Sequence, residues 1–302
     1  MSQYPNLLTP FELDNIFRNR ILPRYSPQIK ANSRPVCYIL GGQPGSEKTT
    51  MIQSLVEESN DTPLIINGDD LRAFHPRMRD LLEHDDRNAS DLVQADCNAW
   101  VGKLVRLCLE NQTSFVVEGT MRNANAAINT AKEAKRNGFL VEAHVMSIPP
   151  RLSQASITAR YEYQKTTSGA GRFVKPASHQ EAVQGLPNSL RDITSQVSLF
   201  DTVSIHTHNG VYDQVLTSLR HGEDGNWDRD VESFLTVFDT RFGATLVGSE
   251  REYMLKLWEI ALESARLREE GQDYIAELTA WMREGEGASD QRVEIGELRR
   301  VA

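Results

Sequence analysis

The stretch GGQPGSEKTT, residues 41–50, follows the apolar run VCYIL (36–40) and runs straight into TTMIQSLVEES. An apolar strand, a glycine-rich turn and a Lys-Thr pair opening a helix leave few folds available. Successive backbone N–H groups and a helix N-terminus then converge on one concave site for phosphate oxygens. In the pattern G-x-x-x-x-G-K-[ST], Gly42 is the first glycine. Gln43, Pro44, Gly45 and Ser46 follow, and Glu47 stands where the second glycine belongs. Lys48 is the residue type that reaches the β- and γ-phosphates, Thr49 offers a hydroxyl to Mg²⁺, and Thr50 continues the helix. A β-carbon at position 47 restricts the backbone, and a carboxylate there repels a triphosphate unless it points away or pairs with Lys48. Weakened ATP binding is therefore expected.

The rest of the chain supplies the sheet that such a loop requires. PLIING (63–68), SFVVEG (114–119), FLVEAHVMSI (139–148) and TVSIHT (202–207) read as further buried strands. Helical patterns lie between them at 91–112 and at NANAAINTAKEAKRNG, which Gly138 closes. Thr9 and Pro10 open an N-terminal helix over 8–22. This alternation around a phosphate-binding loop predicts an α/β fold, a parallel sheet with helices on both faces. Ligands on such sheets sit at the carboxyl ends of the strands, after Leu40, Gly68, Gly119 and Ile148.

Charge divides the chain. Residues 223–302 carry 19 acidic and 10 basic groups and hold the whole net charge of −9. The sequence thus predicts a charge-balanced phosphate-loop domain over 1–222 and an acidic helical C-terminal extension over 223–302. Met254, Trp258, Ala261 and Ala265 lie on one face of a helix near 250–270, a second helix follows near 272–284, and EGEGASDQ reads as flexible. The bland interpretation of this extension is a solvated helical surface whose apolar stripe packs on the main domain. No Lys/Arg stripe suggests a nucleic-acid footprint, and no apolar stretch reaches the length of a membrane span. Cys37, Cys97 and Cys108 are scattered, outside metal-ligand spacing, and read as buried apolar residues in a reducing compartment. The N-terminus lacks a basic flank before an apolar core, so a cytoplasmic protein is expected.

Three further segments place chemistry at the strand ends. INGDDLRAFHP (66–76) brings Asp69 and Asp70 past the second strand, where a carboxylate can take a proton from an attacking hydroxyl or can simply cap a helix starting near Leu71. VVEGTMRN (116–123) delivers Glu118, Thr120 and Arg122. ITARYEYQKTTSGAGRF supplies Arg160 on a helix and Arg172 beside a glycine-rich segment, a setting suited to stabilising a transferred phosphoryl group.

In order and spacing these motifs resemble the zeta toxins of bacterial toxin–antitoxin systems, over about residues 8–215. The resemblance implies a P-loop kinase that phosphorylates the 3′-hydroxyl of the sugar in UDP-N-acetylglucosamine, using ATP and Mg²⁺, and that a small helical epsilon antitoxin blocks at the ATP site. It implies Lys48 on the phosphates, Thr49 at Mg²⁺ and Asp69, ahead of Asp70, as general base. It further implies Glu118, Thr120, Arg122 and Thr130 at the UDP-sugar, with Arg160 and Arg172 on the transferred group. Two positions depart from that family: Glu47 replaces a glycine, and Gly102 falls where a substrate-binding glutamate belongs. Trp100 nearby offers a stacking surface or a core residue. A catalytically impaired nucleotide-binding protein acting through partners, and a kinase for another nucleotide-linked acceptor, remain alternatives.

Overall fold

The run after Pro35 becomes β1 (Val36–Gly41), and its place in the sheet explains why it is apolar on both sides. The structure, a computed structural model, describes residues 7–59, 62–208 and 213–287. Within them β1, β2 (Leu64–Ile66), β3 (Phe115–Glu118), β4 (Leu140–Met146), β5 (Thr202–His208) and β6 (Asp213–Arg220) form one sheet in the order β2-β3-β1-β4-β5-β6. β1 pairs in parallel with β3 on one side and β4 on the other. The β2–β3 and β4–β5 pairs are parallel too. β6 runs antiparallel to β5, a departure from the all-parallel expectation. Its sequence, DQVLTSLR, alternates weakly, so period-2 patterning does not announce a strand there.

The helices are α1 (Pro10–Ile16), α2 (Leu22–Tyr25), α3 (Lys48–Glu58), α4 (Gly68–Leu71), α5 (Met78–Leu92), α6 (Gln94–Glu110), α7 (Asn125–Arg136), α8 (Pro150–Ser168), α9 (Pro176–Thr194), α10 (Val231–Phe242), α11 (Gly248–Leu267) and α12 (Gln272–Gly287). Thr9 caps α1 in a reciprocal pair with Glu12, and a π-helical turn over Phe17–Ile21 joins α1 to α2 within the helix expected over 8–22. The helix expected over 91–112 is instead the end of α5 and all of α6, broken at Val93 (φ −92°, ψ −2°). Val93 and Cys97 are both fully buried, so the apolar pattern continues across the break and hides it. Of the stretch 284–291, Glu284–Gly287 complete α12, and the remainder lies outside the described residues.

The sheet divides the core in two. Along β1, Cys37 and Ile39 face one side, and Tyr38 and Leu40 the other, as strand pleating requires. The first side packs under α1, α6, α7, α9 and α10, with Trp100, Leu104, Phe115, Phe234 and Phe238 among its buried residues. The second holds Met51 and Leu55 of α3, Leu152 and Ala155 of α8, and the Met254, Trp258, Ala261 and Ala265 stripe of α11. Burying a side chain the size of Met254 stabilises the fold by about 1.5–3 kcal/mol, so α11 is integral to this second core. All three cysteines are buried free thiols. Burial pushes the Cys97 and Cys108 thiols up to about 12, and Cys37 higher still. Among the described residues, no helix is long and apolar enough to cross a membrane.

Candidate active site

Gly41 ends β1, and α3 begins at Lys48, so the intervening residues wrap the carboxyl edge of the central strand. The loop is pressed against α8. A β-carbon on Gly45, whose φ is +81°, would lie 2.3 Å from the Ser153 carbonyl oxygen, so only glycine fits. Gln43 is fully buried and fastens the loop by donating from Nε2 to the Ile148 carbonyl at 2.6 Å.

Glu47 adopts the left-handed conformation (φ 59°, ψ 38°) immediately before α3. An L-residue pays about 1–2 kcal/mol there relative to glycine, which is the physical reason glycine suits this position. The side chain turns to α8, and Oε1 accepts a hydrogen bond from Ser156 Oγ at 2.6 Å. His208 and Tyr253 line the same side of the loop. The carboxylate thus takes the outward course.

Lys48 is 8% exposed and donates to the Gly42 carbonyl at 2.9 Å and the Gln43 carbonyl at 3.3 Å, with Glu118 Oε1 3.6 Å away. Burial pulls its ammonium below the usual lysine value, and the Glu118 carboxylate opposes that pull. Glu118, at the end of β3, also accepts from Asn67 Nδ2 at 3.0 Å.

Asn67 resolves the capping question. Its Oδ1 accepts from the Asp69 N–H at 2.8 Å, and α4 begins at Gly68. The cap is therefore Asn67 and neither aspartate, because the helix starts three residues before the expected point. Asp69 pairs with two arginines instead: Arg72 Nη1 lies 2.9 Å from Oδ1, and Arg172 Nη1 contacts Oδ2. Arg172 sits between α8 and α9, its N–H held by Gln164 Oε1 at 2.9 Å. Burial lowers its guanidinium to about 10, against the attraction of Asp69 and with the repulsion of Arg160 and Arg72. It stays cationic at neutral pH.

Lys48, Asp69, Glu118, Arg160 and Arg172 are thus electrostatic neighbours around the loop. Buried donors without a protein partner gather here: Ser46 Oγ, Arg72 Nε, and Arg160 Nε and Nη2. Unpaired buried donors are costly, and an anion is the partner that this set of groups fits. Thr49 exposes its side chain in the first turn of α3. Asp70 is exposed on α4, beside Asp69.

The remaining expected residues follow β3 or lie along α7. Thr120 is half-buried just after β3, Arg122 is exposed and pairs with Glu181 of α9 at 3.3 Å, and Thr130 is half-buried on α7. Gly102 is exposed on α6, and a β-carbon there would meet nothing within 4 Å. Trp100 is fully buried and donates its indole N–H to the Leu13 carbonyl at 3.0 Å, so it is a core residue and offers no stacking surface. Sequence reading misses Asn67, Arg72, Ser156 and Gln164. Arg72 alone carries a usable signal, its spacing of three residues from Asp69 along a helix.

The chain is similar to known proteins in sequence and in fold. The family model described as Zeta toxin matches residues 21–217. "Toxin zeta" of Enterococcus hirae is 26% identical over 200 residues, which are 65% of this chain and 70% of that protein. "Toxin PezT" of Streptococcus pneumoniae is 25% identical over 229 residues, covering 72% and 89%. Among solved structures, one from work on the PezAT chromosomal toxin–antitoxin system of S. pneumoniae superposes with a TM-score of 0.69 at 20% identity, covering 86% of this chain and 98% of that one. An AvrRxo1-ORF1:-ORF2 structure with ATP gives 0.51 at 12% identity, covering 90% and 87%. These structural likenesses bear on the fold alone, a kinase-like α/β sheet. With a family match over more than half of its length, the chain belongs to the zeta toxin family.

Proposed function

We propose that this protein is an ATP-dependent kinase that transfers the γ-phosphoryl group to a sugar hydroxyl of a UDP-sugar, with UDP-N-acetylglucosamine and its 3′-hydroxyl as the first candidate. The observation that carries this reading is the gathering of Lys48, Asp69, Arg160 and Arg172 at the phosphate loop. Lys48, the loop amides and Ser46 hold the phosphates. Asp69 accepts the proton of the acceptor hydroxyl as its oxygen bonds to the γ-phosphorus, and the bond from that phosphorus to the leaving oxygen of ADP breaks. Arg160 and Arg172 balance the charge spreading over the transferred group. In the structure Arg172 pairs with Asp69. Engagement of Arg172 by phosphate leaves Asp69 with Arg72 alone and frees Oδ2 to receive the acceptor's proton.

Mg²⁺ in such sites needs only one or two protein oxygens, and the exposed Thr49 hydroxyl would supply one. Bound there, the ion would neutralise phosphate charge. Thr120, Arg122 and Thr130 serve the acceptor in this reading, and Glu118 orients Lys48 as well. Glu47 attenuates nucleotide binding without abolishing it, because its carboxylate is turned to Ser156. The protein acts as the toxin of a cytoplasmic toxin–antitoxin pair, restrained by a small helical antitoxin over the ATP site, with residues 1–222 as the kinase domain and 223–302 as its extension.

One observation favours a second acceptor. The open surface at Gly102 has room for a carboxylate and carries none, which suits another nucleotide-linked sugar. A coupled ADP-release assay across a panel of UDP-sugars tests both versions. Acceptor-dependent release with UDP-N-acetylglucosamine supports the first, and release with another sugar alone supports the second. Release with none contradicts the kinase reading.

A further inference from the structure

The loop that carries Arg172 is held from a distance. Its next residue, Phe173, lies 5.4 Å from the Arg87 guanidinium carbon, measured to the ring centroid, and the same guanidinium lies 5.3 Å from the Tyr274 ring. Arg87 follows a break in α5 at Asp85 (φ −154°, ψ 74°). Tyr274 belongs to α12, beyond the residues matched by the family model. A single cation therefore bridges the catalytic loop and the C-terminal helix.

Both ends of that bridge are anchored. Tyr274 donates its hydroxyl to Glu162 Oε1 at 2.7 Å, and Glu162 is a fully buried carboxylate of α8 that pairs with Arg268 after α11. A buried carboxylate is tolerated only when paired and hydrogen-bonded, so Glu162 fixes where Tyr274 stands. On the other side Tyr161 meets Phe173 edge-on, with centroids 4.9 Å apart. Its hydroxyl donates to Asp86 Oδ2 at 3.1 Å, and Lys165 Nζ donates to that hydroxyl at 2.9 Å. A β-carbon on Gly171 would lie 2.5 Å from the Tyr161 carbonyl oxygen, so the loop backbone presses on α8. Yet Phe173 and Val174 also border a cavity of about 340 Å³, reaching to Trp281, so packing from that flank does not hold the loop.

We infer that Arg87 and Tyr274 are positioning residues for Arg172, which makes the C-terminal helical pair part of the phosphoryl-transfer machinery. The inference rests on the proposed role of Arg172. A Gly-Ala-Gly approach gives the loop many conformations, and the Phe173–Arg87–Tyr274 stack selects among them. Preorganised charge contributes to catalysis because no reorganisation is needed at the moment of reaction. The stack acts on kcat and leaves the phosphate loop untouched.

The test uses the full chain with Arg87→Met, Arg87→Lys, Tyr274→Phe and Tyr274→Leu. Arg87→Met and Tyr274→Leu are expected to lower kcat about five- to tenfold, with KM for Mg·ATP within about twofold of the parent. Arg87→Lys, which keeps the cation, recovers most of that loss, whereas Tyr274→Phe, which keeps the ring and loses the Glu162 anchor, recovers only part of it. Amide hydrogen exchange across residues 169–175 rises several-fold in Arg87→Met and Tyr274→Leu, stays near the parent in Arg87→Lys, and falls between the two in Tyr274→Phe. Unchanged exchange there in both Arg87→Met and Tyr274→Leu overturns the inference, as does a loss confined to KM. If the parent turns over no UDP-sugar, the kinase reading falls, and the exchange measurement still decides whether Arg87 and Tyr274 hold the loop.

Discussion

Ser156 Oγ donates to Glu47 Oε1 at 2.6 Å, so α8 holds the phosphate loop's one carboxylate away from Lys48. That contact converts a residue hostile to phosphate into one that is tolerated. Removing Ser156's hydroxyl frees the carboxylate to approach a bound triphosphate. Ser156→Ala is expected to weaken Mg·ATP binding about three- to tenfold, and Glu47→Gly to tighten it on the order of tenfold. In the Glu47→Gly background, Ser156→Ala should have no further effect, and isothermal titration of the four proteins closes that cycle. Stability should barely move in Glu47→Gly. Relief of the left-handed backbone (about 1–2 kcal/mol) is offset by a lost hydrogen bond and a more flexible unfolded chain (together about 1–2 kcal/mol).

Asp69→Asn separates chemistry from binding. The substitution removes the proton acceptor and leaves Lys48 and the loop amides in place. Acceptor phosphorylation should fall about 10²–10⁴-fold in kcat. Mg·ATP affinity should change little or rise, since Arg172 loses its competing carboxylate. A parallel loss of ATP binding in equilibrium titration contradicts the assigned role.

Gly45→Ala probes the seam between loop and α8. The added carbon meets the Ser153 carbonyl at 2.3 Å on a backbone with φ +81°. Overpacking together with left-handed strain should cost about 2–4 kcal/mol. Urea unfolding reads this directly, and a loss below about 0.5 kcal/mol contradicts the packing described.

Acid should destabilise the fold through histidine. His179, on α9, is hydrogen-bonded to Ser153 Oγ at 2.8 Å, and burial pulls its imidazole down to about 4. Burial also lowers His75, His144 and His208. A base whose folded pKa lies below its unfolded value of about 6.5 binds its proton more readily in the unfolded chain. The stability that neutral His179 permits is therefore fully present above about pH 6.5 and is lost as the pH falls toward 4. The loss from this group is on the order of 2–3 kcal/mol. His179→Gln should flatten part of the slope in urea unfolding between pH 7 and 4.5, and an identical slope contradicts this assignment.

How much of this was legible depends on what each feature leaves in the sequence. The loop, β1 and the parallel order of the inner strands are readable because a buried parallel strand is apolar along its whole length and the loop is short and fixed in spacing. β6 leaves no such mark, since an edge strand with one partner tolerates exposed Gln214 and Val215. The break at Val93 is silent because Val93 keeps right-handed backbone angles and stays buried, which preserves the apolar pattern. Asp69 could be named as a base or a cap, but only the folded arrangement puts the cap on Asn67 and two arginines on Asp69. The direction of the Glu47 side chain depends on Ser156, 109 residues away, and no local pattern encodes it.

The most direct test of the central claim is mass analysis of the acceptor after incubation with the full chain and Mg·ATP. The account predicts that a UDP-sugar gains one phosphate on its sugar hydroxyl, that ADP forms in equal amount, and that both vanish together in Asp69→Asn. Phosphorylated acceptor at undiminished rate in Asp69→Asn, or ADP release with every UDP-sugar left unmodified, would contradict it.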